Sequence, residues 1–183
     1  MKKPEGLLYT FHVGEPFEYL KQALEWTDEN GKHIPYIALG GMVGKTTSIR
    51  ENFLDTCFDI IKHSSNPTVK VHAFGMTNFN LLSQYPITSA DSSSYIMTAI
   101  NGGVMTERGV IEVSEQKNSN KNHFSHLEDI HIDTFNSLLK NYKVTLEELS
   151  KSCNKRIITN ARYMQEKANN LVYKPKMKCF KLF

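Results

Sequence analysis

Cysteine is scarce in this chain. Cys57, Cys153 and Cys179 are three in 183 residues, far apart, odd in number and without a CxxC pair. That spacing argues against a disulfide framework and against a structural zinc site evident from sequence, and it makes a reducing cytoplasm the simplest setting. Long hydrophobic runs are also missing. No stretch reaches the ~20 apolar residues that a membrane-spanning helix needs, and no signal-peptide pattern opens the sequence, so no membrane partner is expected. Excess charge of one sign is small, 22 basic against 19 acidic residues, a net +3 that by itself establishes no nucleic-acid partner. The charge is uneven, however. Residues 174–183 hold Lys174, Lys176, Lys178 and Lys181 and no acid, which reads either as a solvated end or as a segment that touches phosphates. What remains is ordinary: 40% hydrophobic and 22% charged residues, enough for a sizeable core in one domain with an appendage.

Along the chain, short apolar runs alternate with helical periodicity. Leu7–Val13 reads as a buried strand stopped by Gly14. Pro16 suits a first helical turn, and Phe17, Leu20, Ala23 and Leu24 continue a helix to about Asp28, ended by Asn30-Gly31. Ile34–Leu39 is the second strand, stopped by Gly40-Gly41. Ser48 and Glu51 have capping-box spacing, and Ile49, Phe53, Cys57 and Ile61 form the stripe of the next helix. Val69–Phe74 is a third strand, Asn78–Gln84 a short helix and Ile87–Ala90 a fourth strand. This βαβαβαβ order implies parallel pairing through right-handed crossovers. After Asp91 the pattern changes. Tyr95–Ala99 is a short helix or turn, 101–103 a turn, and 104–113 one or two short strands. Polar residues 116–122 form a loop, and the last third holds packing helices. Residues 1–115 are therefore expected as one unit and 116–183 as a helical extension. Arg156 and Arg162 are read as solvated-face residues on the last helix.

Two stretches carry candidate chemistry. Gly40-Gly41-Met42-Val43-Gly44-Lys45-Thr46 follows a strand and opens a helix, as a phosphate-binding loop does, but leaves three residues rather than four before Gly44-Lys45. Alternatively, Gly40-Gly41 lets a flat ligand lie against bare backbone. Asp91, set among Ser89, Ser92, Ser93 and Ser94, is either the acid presented at the end of a strand or a turn residue that satisfies backbone groups. His12 and His72 read as buried or pocket-rim histidines. His123, His126 and His131 with Cys153 could ligate a metal, but their polar setting reads as solvated, and neither a metal nor a cofactor is expected.

The order Y-I-A-L-G-G-M-V-G-K, an amphipathic helix, V-K-V-H-A-F-G-M and S-A-D-S-S-S resembles the second half of the tRNA-guanine transglycosylase barrel. The serine-rich context of Asp91 is similar to the divergent phage and bacterial DNA-guanine transglycosylases. L-L-Y-T-F-H-V-G-E-P-F-E-Y-L resembles the family's preceding strand and helix, so the likeness covers Leu7–Tyr95. It implies an α/β fold, half of a (β/α)8 TIM-type barrel with four parallel β/α units, followed by a helical C-terminal segment. It also implies exchange of guanine for a free 7-deazaguanine base in DNA or tRNA. Asp91 is then the nucleophile. Gly40, Gly41 and Met42 hold the base through backbone groups, Gly75 lets base or ribose approach, and Gly14 and His12 line the pocket. A cytoplasmic setting follows, the host cytoplasm if the chain is phage-encoded.

The chain departs from that pattern in three places. The family's Val-Gly-Glu is Val43-Gly44-Lys45 here, its Cys-x-Cys-x-x-Cys…His zinc motif is absent, and the half that carries its general acid/base aspartate has no counterpart. A complete barrel takes about 250 residues. A partner chain supplying the other half is therefore an expectation of the same resemblance. A P-loop-like nucleotide-binding protein and a non-catalytic interaction module remain the alternatives.

Overall fold

The structure, a computed structural model, describes residues 8–115, 123–127 and 129–175. Leu7, the 116–122 loop and Lys176, Lys178, Cys179 and Lys181 of the basic tail lie outside these. The chain forms two compact units, one of 1–92 with 172–183 and the other of 93–171. The sequence-expected boundary at 115/116 therefore falls inside the second unit.

The first unit is a four-stranded parallel sheet of β1 (Tyr9–His12), β2 (Tyr36–Gly40), β3 (Lys70–Ala73) and β4 (Ser89–Ala90), in the order β1-β2-β3-β4. Helices α1 (Phe17–Glu25), α2 (Thr47–Lys62) and α3 (Phe79–Gln84) connect them. The expected βαβαβαβ order and parallel pairing are both present. Side chains alternate across the sheet. Phe11, Ile37, Leu39, Val71 and Ala73 point to one face and pack with Leu20 and Leu24 of α1, Phe53, Leu54, Cys57 and Ile61 of α2, and Leu81 of α3. Phe11 stacks on Phe53 with ring centroids 5.7 Å apart and touches Phe17 at 5.5 Å. Each fully buried side chain of this kind contributes ~1.5–3 kcal/mol. Cys57 belongs to this core, as its place on the α2 stripe predicts, and burial pushes its thiol far up from its ordinary pKa.

Two helix ends differ from the sequence expectation. Helix α1 stops at Glu25 rather than near Asp28, because Asp28 Oδ1 instead accepts the N–H groups of Asn30 and Lys32, each at 2.9 Å, around Gly31. Helix α2 is capped by Thr46, not Ser48. Thr46 is extended, and its Oγ1 accepts the Ile49 N–H at 3.3 Å. Ile49, expected on the buried stripe, is 44% exposed as a result of its place in the first turn.

The second unit contains α4 (Ser94–Ile100), an antiparallel hairpin of β5 (Gly103–Thr106) and β6 (Gly109–Glu112), and the helices α5 (Asp129–Tyr142), α6 (Leu146–Lys151) and α7 (Cys153–Asn169). A small apolar cluster of Val104, Ile111, Val113, Phe135, Leu138 and Leu149 joins hairpin to helices. The Thr145/Glu148 capping box is present. Helix α7 is where expectation fails. Its buried residues are Arg156, Thr159 and Asn160, while Ile158 is 51% exposed. Arg156, read as a solvated residue, is buried and donates to the carbonyls of Ala99 (2.8 Å) and Leu149 (2.6 Å). Asn160 accepts the Met105 N–H and donates to the carbonyls of Tyr95 and Gly103. Arg162 remains exposed, as read. Among the described residues, no helix is long and apolar enough to cross a membrane.

Candidate active site

In the first unit, the sheet face opposite the apolar core is polar. Strand register aligns Thr10 with Ala38, His12 with Gly40, Ala38 with His72, and His72 with Ser89. His12, Gly40-Gly41, Gly75 and Asp91 all fall at or just beyond the carboxyl ends of their strands, the rim where parallel α/β proteins build sites.

Asp91 follows β4 directly and is well anchored. Its N–H donates to Ala73 O at 3.3 Å, its carbonyl accepts the Met76 N–H at 2.9 Å, and its Oδ1 accepts the Gly75 N–H at 3.0 Å. The side chain is nevertheless 59% exposed. This is the geometry of a carboxylate held at one oxygen and open to solvent, unlike a turn aspartate that folds back onto its own loop. Gly75 has a role that sequence reading did not supply. It adopts φ 64°, which glycine tolerates, and so aims its N–H at Asp91. A Cβ there would also lie 2.3 Å from Val43 Cγ2.

His72 sits beside Asp91. Its Nε2 is 3.7 Å from Asp91 Oδ1 and its Nδ1 is 2.6 Å from Ser89 Oγ. Ser89 Oγ is in turn 2.5 Å from the Tyr36 hydroxyl. His72 Nε2 is buried and has no hydrogen-bond partner. Phe74 meets the His72 ring edge-on, with centroids 4.5 Å apart. The sequence names Ser89 only among the hydroxyls around Asp91 and does not single out Tyr36. The available signal was period-two spacing, which puts Ser89 and Asp91 on one face of a strand.

On the neighbouring strands the His12 ring covers Gly40, where a Cβ would come within 2.8 Å of His12 Cδ2. The bare backbone at Gly40 thus accommodates the ring, and the ring, half-exposed, lies on the rim. Gly41 has φ 73°, and a Cβ there would be 2.9 Å from the Val13 nitrogen. Gly14, at φ 98°, faces open space and lets the chain turn so that Glu15 Oε2 accepts the His12 N–H at 2.7 Å. Glu15 is a rim carboxylate that the sequence did not single out. It lies 3.6 Å from His12 Nδ1 and, after burial, is the second cause that raises the Tyr9 pKa. Met42 is fully buried, and its carbonyl takes the Lys45 N–H (3.2 Å) and the Arg50 guanidinium (3.1 Å).

A 430 Å³ cleft lies on the helical side of this unit, lined by Asp55, Phe58, Tyr85, Pro86 and Tyr173, and includes none of the rim residues. In the second unit His123 is buried rather than solvated and pairs through Nδ1 with Ser125 Oγ at 2.7 Å. Among the described residues no three His, Cys, Asp or Glu side chains converge as a metal would require. Comparison with protein-family models, curated proteins and solved structures gives no match for this chain.

Proposed function

We propose that the first unit is the second half of a (β/α)8-type barrel and carries a transglycosylase site that exchanges guanine for a 7-deazaguanine base in DNA or tRNA. Four parallel strands in sequence order, with their helices on one face, support the half-barrel reading. The observation that carries the site is Asp91, an exposed carboxylate beyond the last strand whose Oδ1 is held by the Gly75 N–H.

The chemistry is nucleophilic substitution at C1′. The second carboxylate oxygen of Asp91 attacks C1′, the C1′–N9 bond breaks, and guanine departs with the electron pair and takes up a proton. The incoming base gives up its N9 proton, attacks C1′ from the vacated side and releases Asp91. Holding Oδ1 removes rotational freedom from the nucleophile, so less is lost on reaching the reactive geometry. Gly40-Gly41 and His12 form the adjacent rim against which a purine lies. The proton for the departing guanine comes from a partner chain that supplies the first half of the barrel. The 40–46 loop has less support as a nucleotide site, because the Lys45 N–H is already donated to Met42.

The test is guanine exchange on DNA and on tRNA, with labelled guanine, by the chain alone and together with the products of neighbouring reading frames. Exchange on one substrate that is lost in Asp91→Ala supports the proposal. No exchange under any pairing overturns it, and ATP or GTP binding that is lost in Lys45→Ala points to the nucleotide reading.

A further inference from the structure

We infer that Tyr36, Ser89 and His72 form a directed hydrogen-bond relay that places a proton on His72 Nε2 and makes His72 a positioning residue for Asp91. Its catalytic consequence rests on the transglycosylase reading, whereas the relay itself does not.

The relay spans three strands. Tyr36 lies on β2, His72 on β3 and Ser89 on β4, all on the polar sheet face. Tyr36 Oη to Ser89 Oγ is 2.5 Å, and Ser89 Oγ to His72 Nδ1 is 2.6 Å. Each hydroxyl carries one proton, and neutral imidazole carries one on either nitrogen. Two arrangements satisfy both contacts. In the first, Tyr36 donates to Ser89, Ser89 donates to Nδ1, and the imidazole proton sits on Nε2. In the second, Nδ1–H donates to Ser89, Ser89 donates to Tyr36, and Nε2 is a bare lone pair.

Asp91 decides between them. Nε2 lies 3.7 Å from Oδ1 and is buried with no other partner. Nε2 itself is shielded from water, and a lone pair there facing a carboxylate oxygen is repulsive, whereas an N–H is attractive. The first arrangement therefore wins, and a phenol is also the better donor to an alcohol. At 3.7 Å the Nε2–H contact is longer than a hydrogen bond. A small turn of the exposed Asp91 side chain shortens it, as catalytic contacts tighten when substrate arrives. Oδ1 then has two donors, the Gly75 N–H and His72 Nε2–H, and the other oxygen is the one that attacks.

His72 is not the acid that protonates the departing base. Attack is in line, so the leaving group lies across C1′ from the nucleophile, and in retaining glycosidases acid and nucleophile are ~5 Å apart on opposite sides of the bond. His72 Nε2 faces the nucleophile's own oxygen.

The decisive experiment is long-range ¹H–¹⁵N NMR of the histidine rings in the full chain at mildly alkaline pH. The expected spectrum has His72 Nε2 in the protonated range and Nδ1 in the bare range, with Nδ1 displaced by the hydrogen bond it accepts. Ser89→Ala removes that displacement and Tyr36→Phe reduces it. An Nδ1–H tautomer, or an Nδ1 shift indifferent to Ser89→Ala, overturns the relay whatever Asp91 does. In the exchange assay, His72→Leu lowers kcat roughly 100-fold with KM little changed, and His72→Gln, whose amide N–H reaches toward the Nε2 position, recovers about tenfold. Equal loss in both variants overturns the positioning role while leaving Asp91 as nucleophile intact.

Discussion

The two units hold together by different means. In the first, a parallel sheet buries an apolar face of Phe11, Ile37, Leu39 and Val71 against three helices. In the second, side chains of α7 bond backbone groups of α4 and the hairpin: Asn160 accepts the Met105 N–H and donates to the Gly103 and Tyr95 carbonyls, and Arg156 donates to the Ala99 carbonyl. Burying such groups unpaired costs about 1–3 kcal/mol each. The difference explains where polar residues do what. In the second unit, buried Arg156 and Asn160 are structural. In the first, the apolar core lies on one face of the sheet, and His72, Ser89 and Asp91 lie on the other.

Substitutions in each unit test that contrast. Phe11→Ala removes the ring that stacks on Phe53 and touches Phe17. It is expected to cost ~3–5 kcal/mol in denaturant unfolding. Asn160→Ala strips partners from Met105, Gly103 and Tyr95 and is expected to cost about 2–3 kcal/mol. Hydrogen exchange should locate its effect in β5 and leave β3 unchanged. If β3 amides accelerate equally, the two units are not independently held.

Alkaline pH gives a smaller, distributed effect. Burial first, then Glu107 and Glu166, raises the Tyr163 pKa to about 12. Burial and the hydrogen bond to Glu166 raise that of Tyr142 further. A tyrosine whose folded pKa is raised contributes stability that is complete below its unfolded pKa and disappears as pH climbs through the folded value. Melting temperature should therefore fall from about pH 10 upward, and Tyr163→Phe should flatten that fall. The smallest effect is at the surface. Lys151→Ala breaks an exposed i,i+4 pair with Glu147 and should lower the melting temperature only slightly, less in high salt.

Much of the first unit was legible in the sequence because its signals are hydrophobic. Alternation and helical stripes placed four strands, three helices and Cys57 correctly, and the position of Asp91 beyond the fourth strand followed from them. Helix ends were less legible. Thr46 rather than Ser48 caps α2 because extended backbone at Thr46, not side-chain type, decides which hydroxyl reaches a free N–H. Helix α7 is less legible because its buried residues, Arg156, Thr159 and Asn160, are polar, and apolar periodicity is blind to them. The relay was hidden for a related reason. Tyr36, His72, Ser89 and Asp91 come together only through strand register, and sequence gives strand order more readily than which residues lie side by side.

As proposed, Asp91 is a reactive carboxylate rather than a turn residue. Intact-protein and peptide mass spectrometry, after incubation with guanosine-containing DNA or tRNA in the presence of the neighbouring-frame products, tests it most directly. A nucleic-acid adduct is expected on the peptide containing Asp91, absent in Asp91→Asn, with the variant's melting temperature unchanged. An adduct that persists in Asp91→Asn, or a variant that unfolds because Asp91 was holding the loop at Gly75, would contradict it.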